Sequence, residues 1–165
     1  MSLRSKSREV ALQLLFQNDT NKIAVPRKAI GKFVRDRLND ETSEAFALKL
    51  YDGVLKSRTD IDALIAKTAD KWRLSRMMPV DRNVLRLGTF ELLHSDDKTA
   101  TAIVINEAIE LSRRFAGADS PAFVNGILDK IAQSARVVPT AATPPPEPPE
   151  MMEPSLPPTA AESPG

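Results

Sequence analysis

The sequence predicts an all-α domain of about seven amphipathic helices, on two observations: apolar residues recur at intervals of three and four rather than two, and only six glycines, one of them terminal, occur in 165 residues. The first stripe comprises Val10, Ala11, Leu14 and Leu15, flanked by Leu12 and Phe16, and ends in the turn-forming run Asn18-Asp19-Thr20-Asn21. Ile30, Phe33, Val34 and Leu38 give a short second helix. After the polar break Asn39-Asp40-Glu41-Thr42, where several residues can serve as N-cap, a third stripe runs through Phe46, Ala47, Leu50, Tyr51, Val54 and Leu55. Thr59, followed three residues later by Asp62, has the spacing of a capping box and opens the fourth stripe, Ile61, Leu64, Ile65 and Thr68.

Proline lacks a backbone N–H and fits the first turn of a helix, so Pro79 is expected to begin the fifth, which buries Val80, Val84, Leu87, Gly88 and neighbours as far as Leu92. The sixth uses Ala102, Ile105, Ala108, Ile109 and Leu111 and is expected to stop at Gly117 in a left-handed conformation. Asp119-Ser120-Pro121 has the form of a cap followed by a proline at the first helical position, opening the seventh stripe, Phe123, Val124, Ile127, Leu128 and Ile131. Seven such helices on short loops make one compact bundle, or two small bundles packed together.

The folded domain is expected to span residues 1–136. Residues 137–165 hold ten of the thirteen prolines and four glutamates, with no Lys, Arg or aromatic. Such a segment has too little apolar surface to offset the entropy of ordering, and a disordered, proline-rich acidic tail is expected. Pro145 to Pro148 and Pro146 to Pro149 have PxxP spacing, read either as a solvated extension or as a docking motif. Without the tail, 23 basic residues face 18 acidic ones, a net of +5. From Met1 to Arg37 nine basic residues face three acidic ones, while the remainder to Arg136 is nearly balanced. A positive end of this kind is either a plain solvated face or a surface for a polyanion such as RNA or DNA.

Zero cysteines exclude disulfides, thiolate metal sites and cysteine nucleophiles together. One histidine, no phosphate-cradling glycine loop and no nucleophile elbow leave no catalytic constellation, so neither an enzyme nor a metal or cofactor is expected. His94, near the end of helix five, reads as a solvated side chain or a partner of the helix dipole, and Asp96-Asp97 as a solvated loop. No apolar run approaches the roughly 18 residues of a membrane span. The first residues carry no signal-type cleavage site, and a soluble cytoplasmic protein is expected.

Three stretches carry a further reading: Lys6 to Phe16; Trp72-Arg73-Leu74-Ser75-Arg76-Met77 with Val80-Asp81-Arg82-Asn83-Val84-Leu85-Arg86-Leu87 and Glu91-Leu92; and Val104-Ile105-Asn106-Glu107-Ala108-Ile109-Glu110-Leu111, then Phe115, then Phe123-Val124-Asn125-Gly126-Ile127-Leu128-Asp129-Lys130. In this order and spacing, over roughly Arg4 to Ala132, the chain resembles the NusB family of bacterial transcription antitermination factors. The resemblance implies two small packed helical bundles and no catalysis. It implies binding of single-stranded RNA carrying the boxA element of ribosomal RNA leader transcripts, jointly with the small-subunit ribosomal protein NusE. It also implies assembly with other Nus factors on RNA polymerase, so that transcription passes termination sites and ribosomal RNA matures. Some family members form homodimers.

By the same resemblance Arg4, Lys6 and Arg8 contact RNA phosphates or bases, Phe123 stacks on a base, and Asp119 and Ser120 lie beside it, where the first amides of helix seven can hold a phosphate. Asp81, Arg82 and Arg86 are implied to face the ribosomal protein. Read by position alone, Phe123 falls on a buried stripe and belongs to the core, the second group forms surface ion pairs, and Asn106-Glu107 bonds neighbouring helix ends. Ser5 and Ser7 stand where the family's first helix often carries more arginines, and Ala122 stands where a lysine often precedes the aromatic. RNA binding is therefore expected to lean on the protein partner. Two other functions remain to be discriminated. The N-terminal RNA-binding domain of a ribosomal RNA cytosine methyltransferase would need a glycine-rich cofactor loop and a cysteine, and neither is present; a helix-turn-helix DNA regulator would need a polar, basic recognition helix, and none of the seven stripes has that face.

Overall fold

The computed structural model describes residues 1–94 and 100–137. They form seven α-helices: α1 Leu3–Thr20, α2 Arg27–Leu38, α3 Glu41–Lys56, α4 Arg58–Thr68, α5 Pro79–His94, α6 Ala100–Phe115 and α7 Ser120–Val137, with one 3-10 turn, Leu74–Arg76, ahead of α5. The expected tail lies outside the described residues beyond Val137, as does the Asp96-Asp97 loop.

Local chemistry explains most of the boundaries. Ser2 caps α1, its hydroxyl accepting from the Ser5 N–H at 3.0 Å. From the polar break the structure selects Asp40 as the α3 cap: it accepts from the Ser43 N–H at 2.8 Å and from the Ser43 hydroxyl. Those two bonds hold the Asp40 carboxyl below the usual aspartate range. Asn39, at φ 48°, ends α2 in the left-handed conformation that asparagine tolerates. Pro79 is the first residue of α5, as expected.

Two local expectations are corrected. Thr59 and Asp62 make no capping box, because α4 starts at Arg58 after Ser57, which gives no side-chain cap bond, and Asp62 is engaged by Arg86 of α5. Gly117 follows the end of α6 but is not left-handed; no described glycine has positive φ. Its carbonyl instead accepts from the Ser120 N–H at 3.1 Å, a turn that needs no positive φ.

Helix α5 is the axis of the fold. It packs against α1, α3, α4, α6 and α7, and every residue from Asn83 to Glu91 is buried. One group, α1–α3, lies on one side of it; α6 and α7 lie against each other and against α5, with α4 touching both α5 and α7. Both groups share a single contiguous core that includes Leu14, Leu50, Val54, Ile61, Leu85 and Leu128. Each such side chain contributes roughly 1.5–3 kcal/mol when fully buried. Two glycines allow the close approach of neighbours: a Cβ on Gly53 of α3 would collide with the Phe90 ring, and one on Gly88 of α5 would lie 2.8 Å from Leu128 Cδ1.

A helix enclosed on all sides forces its polar residues to find partners inside the protein. Asn83, Arg86 and Glu91 do so, across to α1 and α4, whereas the Thr89 hydroxyl has no partner among the described residues. His94 ends α5 exposed, its ring 4.6 Å from that of Phe90, in agreement with the solvated reading.

Candidate nucleic-acid interface

The start of α1 divides the expected cations into two kinds. Arg4 and Lys6 are exposed, and the Arg4 guanidinium lies 4.8 Å from the ring centre of Phe46 on α3, a cation–π contact that leaves its charge at the surface. Arg8 shares that face, 5.4 Å from the same ring, but is only 5 % exposed. Its Nε and Nη2 donate to the two carboxylate oxygens of Glu91 at 2.7 and 2.9 Å. The expected free phosphate contact at Arg8 is therefore corrected: a buried, bidentate ion pair clamps α1 to α5. Ser5 and Ser7 likewise serve the packing. The Ser7 hydroxyl, fully buried, donates to the carbonyls of Leu3 and Ser43, and the Ser5 hydroxyl donates to Glu107 of α6 at 2.7 Å. That last bond gives Glu107 the structural role its motif suggested, while Asn106 is exposed.

At the start of α7, Asp119 is exposed, Ser120 is buried and Phe123 is half-buried. Phe123 packs partly against the core, and its ring meets Trp72 edge to face, centroids 5.8 Å apart at 75°. Ser120 has little surface to offer a ligand directly. Position along the bundle separates this corner from Arg4. Arg8 meets Glu91 near the end of α5, whereas Asp19, at the far end of α1, meets Arg82 near its beginning. The two helices run antiparallel, and Trp72 lies on the approach to α5. At about 1.5 Å of rise per residue, roughly 20 Å of bundle length divides the cationic patch from the aromatic corner.

Arg82 and Arg86, expected on a partner surface, are turned inward around Asp19, a second correction. Arg82 donates to Asp19 Oδ2 through Nε at 2.9 Å and Nη2 at 2.6 Å, and through Nη1 to the carbonyls of Leu74 and Met77. Arg86 donates to Asp62 through Nε at 2.7 Å and Nη2 at 2.9 Å, and its Nη1 lies 3.5 Å from Asp19. Asn83 and Arg58 complete the ring of donors around Asp19, whose side chain is 8 % exposed. These are not surface pairs. Burial pushes the Asp19 carboxyl up, but hydrogen bonds from Arg82 and Asn83 and the charges of Arg86 and Arg82 outweigh it, and the net shift is downward.

Asp81, like Arg82, is half-buried, and one of its carboxylate oxygens is buried with no partner among the described residues. Beside it Val80 lines an open apolar groove of ≈ 410 Å³ with Leu12, Phe16, Phe33 and Phe115. Phe16 and Phe115 are large apolar side chains left exposed, and Arg37 lies over the Phe33 ring at 3.4 Å. Sequence reasoning missed this groove because Phe16 and Phe33 sit on stripes that continue the core; only the packing shows that their outer ends are uncovered. It missed Trp72 as a surface group for want of a helical period to place it.

Among the described residues no three His, Cys, Asp or Glu converge as a metal site, and no helix is long and apolar enough to cross a membrane. A basic helix start, an aromatic corner and an uncovered apolar groove are features of binding surfaces rather than of a catalytic cleft. Comparison with known proteins agrees. The transcription antitermination protein NusB of Sorangium cellulosum is 40 % identical over 134 residues, spanning 81 % of this chain and 94 % of that protein. The crystal structure of NusB from T. maritima matches with a TM-score of 0.70 at 34 % identity, over 79 % of this chain and 90 % of that one. A structure of the antitermination factors NusB and NusE in complex with double-stranded RNA matches with a TM-score of 0.72 at 27 % identity, over 81 % of this chain and 98 % of that one. The NusB family model covers residues 5–133, which is nearly the whole helical body, and the chain belongs to the NusB family.

Proposed function

We propose that this chain is a transcription antitermination factor without enzymatic activity, one that binds boxA-type RNA together with NusE and joins other Nus factors on RNA polymerase to sustain ribosomal RNA transcription. The observation that carries this reading is the match along the helical body to a relative held in complex with NusE and RNA. We assign both binding surfaces to residues 1–136. Arg4 and Lys6 supply phosphate contacts at the start of α1, and Phe123 supplies a stacking ring with Asp119 beside it. Ser120, being buried, positions that ring rather than touching RNA. Stacking on a side chain requires an unpaired base, which favours a single-stranded target. On the protein side, Asp81 and the adjoining apolar groove form the NusE surface, with Arg82 and Arg86 holding its framework. An uncovered apolar groove with a charged rim has the anatomy of a protein interface.

The test is a competition between boxA RNA and duplex DNA of equal length, with and without NusE. RNA should win, and NusE should raise its affinity; equal competition by DNA would favour a DNA-binding regulator. Within this assay Lys6→Ala should lower the salt slope by about one unit, and Phe123→Ala should weaken binding by roughly 1–3 kcal/mol. A Phe123→Ala protein that is strongly destabilised while its folded fraction binds normally would assign that ring to the core alone. Asp81→Lys should cost folding only a few tenths to about 1 kcal/mol through the helix dipole, yet weaken NusE by several kcal/mol. Unchanged NusE affinity would remove Asp81 from the surface, and self-association relieved by the same change would assign the groove to a second copy of the chain.

A further inference from the structure

We infer that Trp72 is a second base-stacking residue, forming with Phe123 a corner that receives consecutive unpaired bases of the RNA; this rests on the RNA-binding reading. Trp72 is 63 % exposed, a costly placement for the largest apolar side chain unless something covers it. It stands in no helix. The chain leaves α4 at Ala69 and passes through Asp70 at φ 29°, a positive value uncommon outside glycine. It then closes a turn in which the Trp72 N–H donates to the Ala69 carbonyl at 2.9 Å. Strain at a single residue thus redirects the backbone and sends an indole across to α7, the arrangement expected where a side chain is held out for use.

The geometry of the pair favours bases over a protein surface. Rings at 75° meet edge to face, so the contact covers at most one face of one ring, and while Phe123 packs partly against the core, the 63 % exposed Trp72 keeps open aromatic surface. Open aromatic faces are what unpaired bases stack on, independently of sequence. Lys71, Arg73 and Arg76, all exposed, flank the indole closely in sequence and supply cations for the phosphates of the stacked nucleotides. The corner lies at the opposite end of the bundle from Arg4, so a strand several nucleotides long is needed to reach both.

The chain contains one tryptophan and one tyrosine, so emission excited at the red edge, where tyrosine does not absorb, reports on Trp72 alone in this chain. Emission is followed while unlabelled single-stranded boxA RNA is added to the full chain, with and without NusE, and affinity is measured in parallel by the anisotropy of labelled RNA. Quenching should track RNA occupancy. Trp72→Ala should weaken RNA binding roughly 5- to 150-fold, the range of a lost stacking contact, while Trp72→Phe should retain most of the affinity. Because the side chain is largely exposed, both variants should melt close to the original protein. RNA that binds by anisotropy with unchanged emission, and with Trp72→Ala affinity within about twofold, would overturn the inference and leave the RNA-binding reading standing. Emission that responds to NusE alone and not to RNA would move Trp72 to the protein surface and overturn it too. Absence of RNA binding by the original chain even with NusE would overturn both.

Discussion

Arg8→Ala is expected to destabilise this protein by about 3–5 kcal/mol, the usual loss when one partner of a buried ion pair is removed. Glu91 is 9 % exposed and receives both of its strong hydrogen bonds from Arg8. Without the guanidinium a carboxylate stays in the core on a helix enclosed by five others, where water replaces the lost donors poorly. A loss of this size is a large part of the roughly 5–15 kcal/mol that holds an ordinary domain together. Urea unfolding measures it directly. The double replacement Arg8→Met with Glu91→Leu should recover most of the loss, since apolar residues of similar volume often match or exceed a buried pair. RNA binding separates this reading from a phosphate contact: the folded Arg8→Ala protein should keep the original salt slope, unlike Lys6→Ala. A stability loss below about 1 kcal/mol would mean that solvent reaches Glu91 and that the clamp is a surface pair.

Asp19→Ala should be comparably damaging, at about 3–5 kcal/mol. Asp19 accepts from Arg82, Asn83 and Arg58 and lies 3.5 Å from Arg86, so its removal leaves Asp62 to Arg86 and Arg58 and leaves Arg82 with only the carbonyls of Leu74 and Met77. The connection lost is between the end of α1, α4 and the start of α5. Asp19→Asn keeps an acceptor without the charge and should lie between the two. The pH dependence follows from the depressed native pKa of Asp19. A carboxyl that titrates lower when folded contributes stability that is present above its unfolded value of about 3.9 and is lost as pH falls through the lower native value. The original protein should therefore weaken from about pH 4 downward, and Asp19→Ala should weaken less over the same interval. Parallel acid limbs for the two proteins would show that Asp19 carries none of this dependence. Because Arg82 and Arg86 belong to this cluster, replacing either should act first on stability and only through it on NusE binding.

The seven helices could be read from the sequence because each is specified locally. Val10, Leu14 and their like recur at the helical period; Pro79 can only begin a helix; the break at Asn39-Asp40 contains both a left-handed C-cap and an N-cap. Composition likewise disposed of cysteine chemistry, and motif order carried the family. What failed locally were the features with two equally local solutions, the Thr59–Asp62 box and the left-handed Gly117.

Tertiary structure decided which charges are free. Arg4 and Arg8 stand one helical turn apart on the same face and are indistinguishable by type, spacing or neighbours. Yet one lies in solvent over Phe46, and the other is consumed by a carboxylate 83 positions away. Asp19 and Arg82, 63 positions apart, conceal one another in the same way, and Trp72 gains its aromatic neighbour from a helix in a different part of the chain. Periodicity records only whether a side chain faces inward or outward from its own helix. Whether an inward-facing charge meets its opposite depends on how distant helices are laid against each other. In this fold α5 is buried from Asn83 to Glu91, and the residues it carries there therefore decide which of the others remain available to a ligand.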